Sequence, residues 1–472
     1  MIRRRSDPPG RPPRWPSTPG SPALQGAASC GVSRHSTPRA ESPHDSLPAA
    51  PPAPRDSGRR RDWPRACLLA LILGHALSGL ARSDGLLQTA PTIVVRQVNE
   101  DGFGDSTNKY AWSMATFKDK LYVATLNADI SRPAEILLFF FGLPFSTNGT
   151  QIWRGDFSEE GEWVWDKVLE QADGNRNHYG VRKMIVVGEF LYGVTGNHVE
   201  GLEVWRTRDG EHWQVVAHNG FSNPNNTSGR GLASFQGYLY VGVENRLEGA
   251  QIWRRKLKAN GDFAPASSWQ PAAASGIVDA GNFWFSDFVV HGNYLYTGTL
   301  NIKGMQLWRT NGRVFEKIFE NGYDDLFNTA AMKLYVYRGR LYVGTMNLVN
   351  GFRLYASKEK LDSYATADIP FARVLVNDDP KRRGAYLWYL EEFNGRLYAG
   401  TFTTFQFFNG SFKLFSSADG EHDWVVETDN AFGHERQYGL RSMEVFKGKL
   451  MIGTATAQPE KSCKILEATP KR

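Results

Sequence analysis

Cysteine is scarce in this chain of 472 residues, which holds 3. Cys30 and Cys67 lie near the amino terminus, so Cys463 is alone in the remainder and an internal disulfide is excluded there. Stability must then come from a packed core. A long apolar run is also missing. The most apolar stretch, ACLLALILGHALSGL from Ala66 to Leu80, carries His75 and falls short of the about 20 residues that a membrane span needs. Neither HExxH nor CxxC spacing occurs, so two histidines with Glu200 carry no zinc assignment and no metal site is expected. The residues name no cofactor. Excess charge is confined to one end: residues 1–81 hold 12 Arg and 5 acidic residues, leaving 43 basic against 44 acidic residues in the rest of a chain whose net charge is +6. The body is near neutral, which excludes the electrostatic footprint of a nucleic-acid partner.

What is present divides the chain in two. Residues 1–65 are rich in Arg, Pro and Ser, without apolar periodicity, and are expected to be a disordered leader. Residues 66–81 read as the apolar region and small-residue cleavage site of a signal peptide, cut after Ala81. Export follows as an expectation, to the medium, a periplasm or the cell surface.

From there one phrase recurs: a short apolar strand, a polar two-residue turn, then L-Y-apolar-G-T-x-N. Seven copies occur, beginning at Trp112, Val181, Gly231, Phe285, Ala331, Leu387 and Leu440. Each is two runs of strand formers joined by turn chemistry (KD, GE, QG, GN, RG, NG, KG), the signature of a hairpin. Third strands follow as TQIWRG, LEVWRT, AQIWRR, MQLWRT, FRLYAS and FKLFSS, and fourth strands are clearest in HWQVVA and DWVVET. Repeats near this length with four strands each predict one all-β, seven-bladed β-propeller over residues 92–468. TIVVRQV from Thr92 is an orphan strand, expected to complete the last blade and close the ring.

TRDGEHW (Thr207 to Trp213) and SSADGEHDW (Ser416 to Trp424) resemble the Asp-box of BNR propellers in shortened form. The resemblance implies the fold and says nothing of catalysis. Physically, Asp accepts hydrogen bonds from its own loop, Gly takes positive φ and Trp packs between sheets.

Turns within the hairpins are minimal, so function is expected on the opposite face, which receives the loops leading into each hairpin and those after it. Most of the Asn, Asp and Gly there build turns. Asn127, Asn197, Asn245, Asn301 and Asn347, at the ends of second strands, read as turn caps. Two clusters exceed that need. His178, Tyr179 and Arg182 lead into the second repeat, with His198 and Glu200 on its following loop. His434, Arg436, Tyr438 and Arg441 lead into the seventh, and Asn108, Lys109 and Tyr110 into the first.

Such groups suit binding of a polar, carbohydrate-like ligand at the mouth of a central channel, with Asn108, Tyr110, Glu200, Trp284, Trp388, His434 and Arg436 as ligand contacts. The alternative is uronate β-elimination, with His178 or His198 as base, Tyr179 or Tyr438 as acid, and Arg182 or Arg441 neutralising the carboxylate. Seven-bladed polysaccharide lyases are similar in using His, Tyr and Arg at the mouth, an analogy of fold. A third reading is a protein-interaction scaffold. It rests on ILLFFFGLPF, Ile136 to Phe145, an insertion suited to a membrane or protein contact, with TFTTFQFF (Thr401 to Phe408) on the matching loop. A monomer is expected. Asn148, Asn225, Asn226 and Asn409 begin N-x-S/T sequons.

Overall fold

The computed structural model describes residues 90–170, 174–273, 279–376, 384–403 and 410–471. The leader and signal-peptide expectations, and most of TFTTFQFF with Asn409, lie outside the described residues. No helix among those described is long and apolar enough to cross a membrane.

The amino-terminal strand β1 (Ile93–Gln97) precedes a first four-strand unit of β2 (Asn108–Phe117), β3 (Lys120–Asn127), β4 (Gln151–Phe157) and β5 (Trp163–Glu170). Helix α1 (Pro133–Phe141) is inserted between β3 and β4. The inner hairpin turns follow the sequence chemistry: Lys118-Asp119, Gln236-Gly237, Arg338-Gly339, Asn394-Gly395 and Lys447-Gly448 all take positive φ at both positions, the twist that joins antiparallel strands through two residues. Further units repeat this pattern, and β1 pairs antiparallel with Ile465–Pro470, from Ile93↔Pro470 to Gln97↔Leu466.

The expected seven-bladed propeller of separate four-stranded blades is corrected by the hydrogen bonding, which runs on from unit to unit in one 28-stranded sheet. Single residue pairs link each inner hairpin to the next: Leu126↔Gly180, Gly196↔Ser228, Glu244↔Trp284, Leu300↔Ala330, Met346↔Tyr386, Phe402↔Gly439 and Tyr110↔Ala455. The fourteen inner strands thereby close into an antiparallel barrel, and fourteen further strands are attached outside it. Resemblance to a propeller holds at the coarser level of repeated β units. The cause is close approach of neighbouring hairpins where their strands converge. At Gly180 an added Cβ would lie 2.2 Å from the Trp112 ring, and at Gly439 2.4 Å from Trp388. Glycine there lets the preceding unit's indole lie against the backbone of the next.

Within the units, a buried polar network ties the residue leading into the first strand to the start of the third and explains several sequence features. Asn108 donates to the Gly102 carbonyl (2.9 Å) and to Gln151 (2.7 Å). Asn226 does the same to Gly220 (2.8 Å) and Gln251 (3.1 Å), and Asn282 donates to Gln306 (3.0 Å). Each of these glutamines also accepts from the indole two residues on, Trp153, Trp253 and Trp308. Four of the five asparagines cap turns as read: Asn197 Oδ1 accepts from the amides of Val199 and Glu200 (both 2.9 Å), and Asn347 from those of Val349 (3.1 Å) and Asn350 (2.7 Å), with Asn245 and Asn301 alike, whereas Asn127 Oδ1 accepts from the Thr107 hydroxyl at 2.8 Å. Asp209 and Asp419 each accept two amides of their own turns, with Gly210 and Gly420 at positive φ.

Candidate functional site

The sixth residue before each hairpin turn faces the central channel. In order these are Trp112, Arg182, Arg230, Ser286, Met332, Trp388 and Arg441. The fourth hairpin carries two register shifts, and Trp284 lines the channel beside Ser286. Indoles and guanidinium groups from six of the seven units therefore ring the channel, with Arg182 and Arg230 on consecutive units. Arg230 lies 3.6 Å from the centre of the Trp284 ring, Arg182 4.8 Å from that of Trp112, and Arg441 4.7 Å from that of Trp388 and 5.7 Å from that of Trp112. Planar guanidinium on a desolvated indole face is a favourable pairing.

The channel opens into a cavity of about 130 Å³ that is partly open to solvent. Its charged sector comes from the second and third units: Arg182, Arg230, Glu244, Arg246 and His198. Glu244, 1% exposed, takes Arg230 on Oε2 (2.8 Å) and Arg246 on Oε1 (2.6 Å). Burial pushes this carboxyl up, but Arg230, Arg246 and Arg182 outweigh it and hold it well below the usual carboxylate range. Burial and the neighbouring Arg182 bring Arg230 down to about 9, and burial and Arg230 bring Arg441 down to about 9.

Beneath it, Asp287 joins Lys183 (3.0 Å) and Lys333 (2.5 Å). Four arginines and two lysines thus face two carboxylates along this part of the channel.

His198 is held at both ring nitrogens. Nδ1 lies 2.9 Å from the Leu143 carbonyl, which only accepts, so Nδ1 carries the proton and Nε2 accepts from the Tyr179 hydroxyl at 2.8 Å. Burial brings this histidine down to about 4, so it is neutral at physiological pH. Helix α1 and the residues after it pack beside this histidine, with the Phe139 ring over the imidazole. Ile136 and Phe139 are buried in a cluster with Tyr110, Trp112, Tyr179, Trp388 and Tyr438. In the insertion expected to offer a contact surface, Ile136 and Phe139 pack inward, while Leu137 and Pro144 are exposed and the other residues to Phe145 half-buried.

The structure brings together Arg182, His198, Tyr110, Trp284 and Trp388 at the cavity, with Arg441 just below. Tyr179 reaches it through His198, and Tyr438 through a hydroxyl contact with Tyr110.

Five expected contacts lie elsewhere. His178 occupies the place of Asn108 and Asn226 in the buried network. Its Nε2 meets Glu203 at 3.3 Å and its Nδ1 meets Thr195 at 3.1 Å. Asn108 is a member of the same network. The Glu200 carboxylate accepts from Asn177 and Asn197 at 2.7 Å each. His434 lies by Asp101, Lys461 and Lys464, and Arg436 is exposed and donates to Gln458 at 3.3 Å.

Arg230, Glu244, Arg246 and Trp112 are not among the site residues expected from sequence, although signals in the repeats mark two of them. Arg230 in SGRG stands at the same distance from its turn as Arg182 in GVRK and Arg441 in GLRS. Glu244 stands where four other repeats carry Leu126, Leu300, Met346 and Phe402. No cluster of three or more His, Cys, Asp or Glu suited to a metal occurs among the described residues.

Further along the channel, Glu391 accepts from the Tyr335 hydroxyl at 3.0 Å, and burial, with Glu444 nearby, raises it to about 7. A carboxyl whose folded value is raised favours the folded state below its unfolded value and loses that stability as pH rises to the folded value. Glu391→Gln is therefore expected to gain stability over the parent chain as pH goes from about 4 to 7, on the order of 2 kcal/mol at the upper end. Denaturant midpoints across that range check it; parallel curves would overturn it.

No family model matches the chain, and no curated protein matches it in sequence. Among solved structures it is similar to a GH74 xyloglucanase from Xanthomonas campestris, with 12% identity, 77% of this chain and 52% of that one covered, and a TM-score of 0.47. It is also similar to an α-L-arabinanase from Penicillium chrysogenum complexed with arabinobiose (13% identity, 81% and 98% covered, TM-score 0.39). A third is a 6-phosphogluconolactonase-like protein from Bacteroides uniformis (9%, 72% and 98%, 0.45). The chain spans about half the length of the xyloglucanase.

Proposed function

We propose that this is an exported ligand-binding protein whose site is the loop-rich mouth of the channel, and that the part of the ligand meeting the tryptophan and arginine sector is polar and carbohydrate-like. The observation that carries the reading is the convergence of Trp112, Trp284 and Trp388 with Arg182, Arg230 and Arg441 on the channel. Indole faces take the C–H face of a ring, while guanidinium groups donate to its oxygens. On a glycan array, Trp284→Ala and Trp388→Ala are each expected to weaken binding about tenfold or more. Unchanged binding in both, or no glycan bound by the parent chain, would overturn the carbohydrate reading.

A second reading, elimination across a uronate, is favoured by one feature: the Tyr179–His198 pair beside Arg182. His198 would take the proton next to the carboxyl while Arg182 neutralises the charge that develops, and as the carbon–carbon double bond forms and the glycosidic C–O bond breaks, the Tyr179 hydroxyl would protonate the departing oxygen. The neutral state of His198 suits a base, whereas its Nε2 is already occupied by Tyr179. Assay of acidic polysaccharides for the absorbance of an unsaturated product tests this reading; none across the panel would remove it.

A further inference from the structure

The cavity has two unlike halves. The half built by the second and third units is charged. The half built by the fourth and fifth units is aliphatic: Leu300, Ile302, Met332, Met346 and Leu348, with Thr329 the polar side chain among them. A ligand with hydroxyls all around would leave many of them unpaired against that wall, at a cost in affinity. Hydrocarbon there would instead be desolvated against hydrocarbon.

The polar half is unbalanced in a particular sense. Three buried donors beside the channel lack a hydrogen-bond partner among the described residues: Trp112 Nε1, Trp284 Nε1 and Arg441 Nε. Arg441 is 8% exposed and lies against two indole faces. Arg182 donates to the Ser228 hydroxyl at 3.1 Å. Glu244 and Asp287 are each shared between two cations, so positive charge remains in excess. Buried donors and cations in surplus call for an anionic acceptor.

We infer that the ligand of this site is an amphipathic anion, with an acidic group facing Arg182, Arg230 and Arg441 and a hydrocarbon portion lying on the Leu300, Met346 and Leu348 wall. The inference rests on the mouth being the binding site and adds that the ligand is two-faced. The same chemistry is met by an alkylated or acylated acidic sugar and by a simple fatty acid, and the test separates them. Rim side chains extend the apolar half outward, since Leu326 and Phe327 are 63% and 44% exposed.

The probes are decyl glucuronide, decyl glucoside, tetragalacturonate, decanoate and inorganic phosphate, titrated below micelle formation against the full chain by calorimetry. Decyl glucuronide is expected to bind at least tenfold more tightly than decyl glucoside, which lacks the charge, and than tetragalacturonate, which lacks the tail. Arg441→Gln should remove the first preference and Leu348→Ser the second, with Arg441→Lys and the thermal midpoint controlling for folding. Decanoate binding without any sugar-headed probe would keep this inference and overturn the carbohydrate reading. Tetragalacturonate binding as tightly as decyl glucuronide, and weakened by Trp388→Ala, would keep that reading and overturn this inference. Equal affinity for glucuronide and glucoside, phosphate binding as tightly as any probe, or no binding at all would overturn it as well.

Discussion

Glu244→Ala is expected to destabilise the protein by about 3–5 kcal/mol, the range for removing one partner of a buried ion pair. The carboxylate is 1% exposed and holds Arg230 and Arg246, whose side chains are 13% and 18% exposed. Without it two guanidinium groups stay buried beside Arg182 with no opposite charge. Denaturation midpoints with an unchanged slope measure the loss. A loss below about 1 kcal/mol would mean that solvent already compensates these cations. The pH dependence follows from the depressed carboxyl. Its contribution is present above the unfolded value of about 4.3 and fades as pH falls below it, so parent and variant should converge in acid. Because the arginines stay in place, the variant also separates stability from recognition: an anionic ligand should rescue part of the lost stability.

A chain shortened to begin at Asn99 is expected to lose the cooperative thermal transition shown by one beginning at Ser83. The strand Ile93–Gln97 makes five paired positions with Ile465–Pro470. Around it, the Thr92 amide donates to Glu427 at 2.7 Å and Arg96 meets Glu467 at 3.0 Å. Ile93 is buried with Phe393, Tyr398, Leu440 and Leu466. Removal would leave Ile465–Pro470 as a bare edge and uncover that cluster, which invites pairing with another chain. Scanning calorimetry and light scattering check the outcome. An unshifted transition would show that closure is dispensable.

The repeat was legible because a hairpin writes itself locally: Arg338-Gly339 needs positive φ at two positions, and Leu341, Tyr342 and Val343 strand formers follow. The same locality limited the reading. Continuity of the sheet between units depends on Leu126 meeting Gly180, residues 54 positions apart in number, and on Trp112 fitting over a glycine. No turn signal encodes such a contact, so the repeats read as separate blades.

The site divides along the same line. His178 and His198 look alike in sequence, each preceded by asparagine in a polar loop. The structure turns His178 to Glu203 and Thr195 inside the buried polar network of its own unit, and His198 to Tyr179 at the cavity. Arg182 and Arg441 were recognised because they stood near histidine and tyrosine. Arg230 stands in a stretch of Asn, Ser and Gly with no histidine or tyrosine beside it, though its distance from Gln236 marks it as their equivalent. ILLFFFGLPF offered no means of telling an exposed patch from an inserted wall, since apolar content is the same for both. Only the placement of α1 over Tyr110 and Trp112 decided it.

By itself, then, the sequence determined the all-β class, the seven hairpins with their turns, the capping asparagines and the face on which loops vary, because each depends on residues a few positions apart. Tertiary structure alone decided that the inner strands close into one continuous barrel, that guanidinium and indole groups gather around the channel, and that Glu244 is shared between two arginines. Those depend on units brought side by side, where charge, ring and glycine from distant repeats first meet.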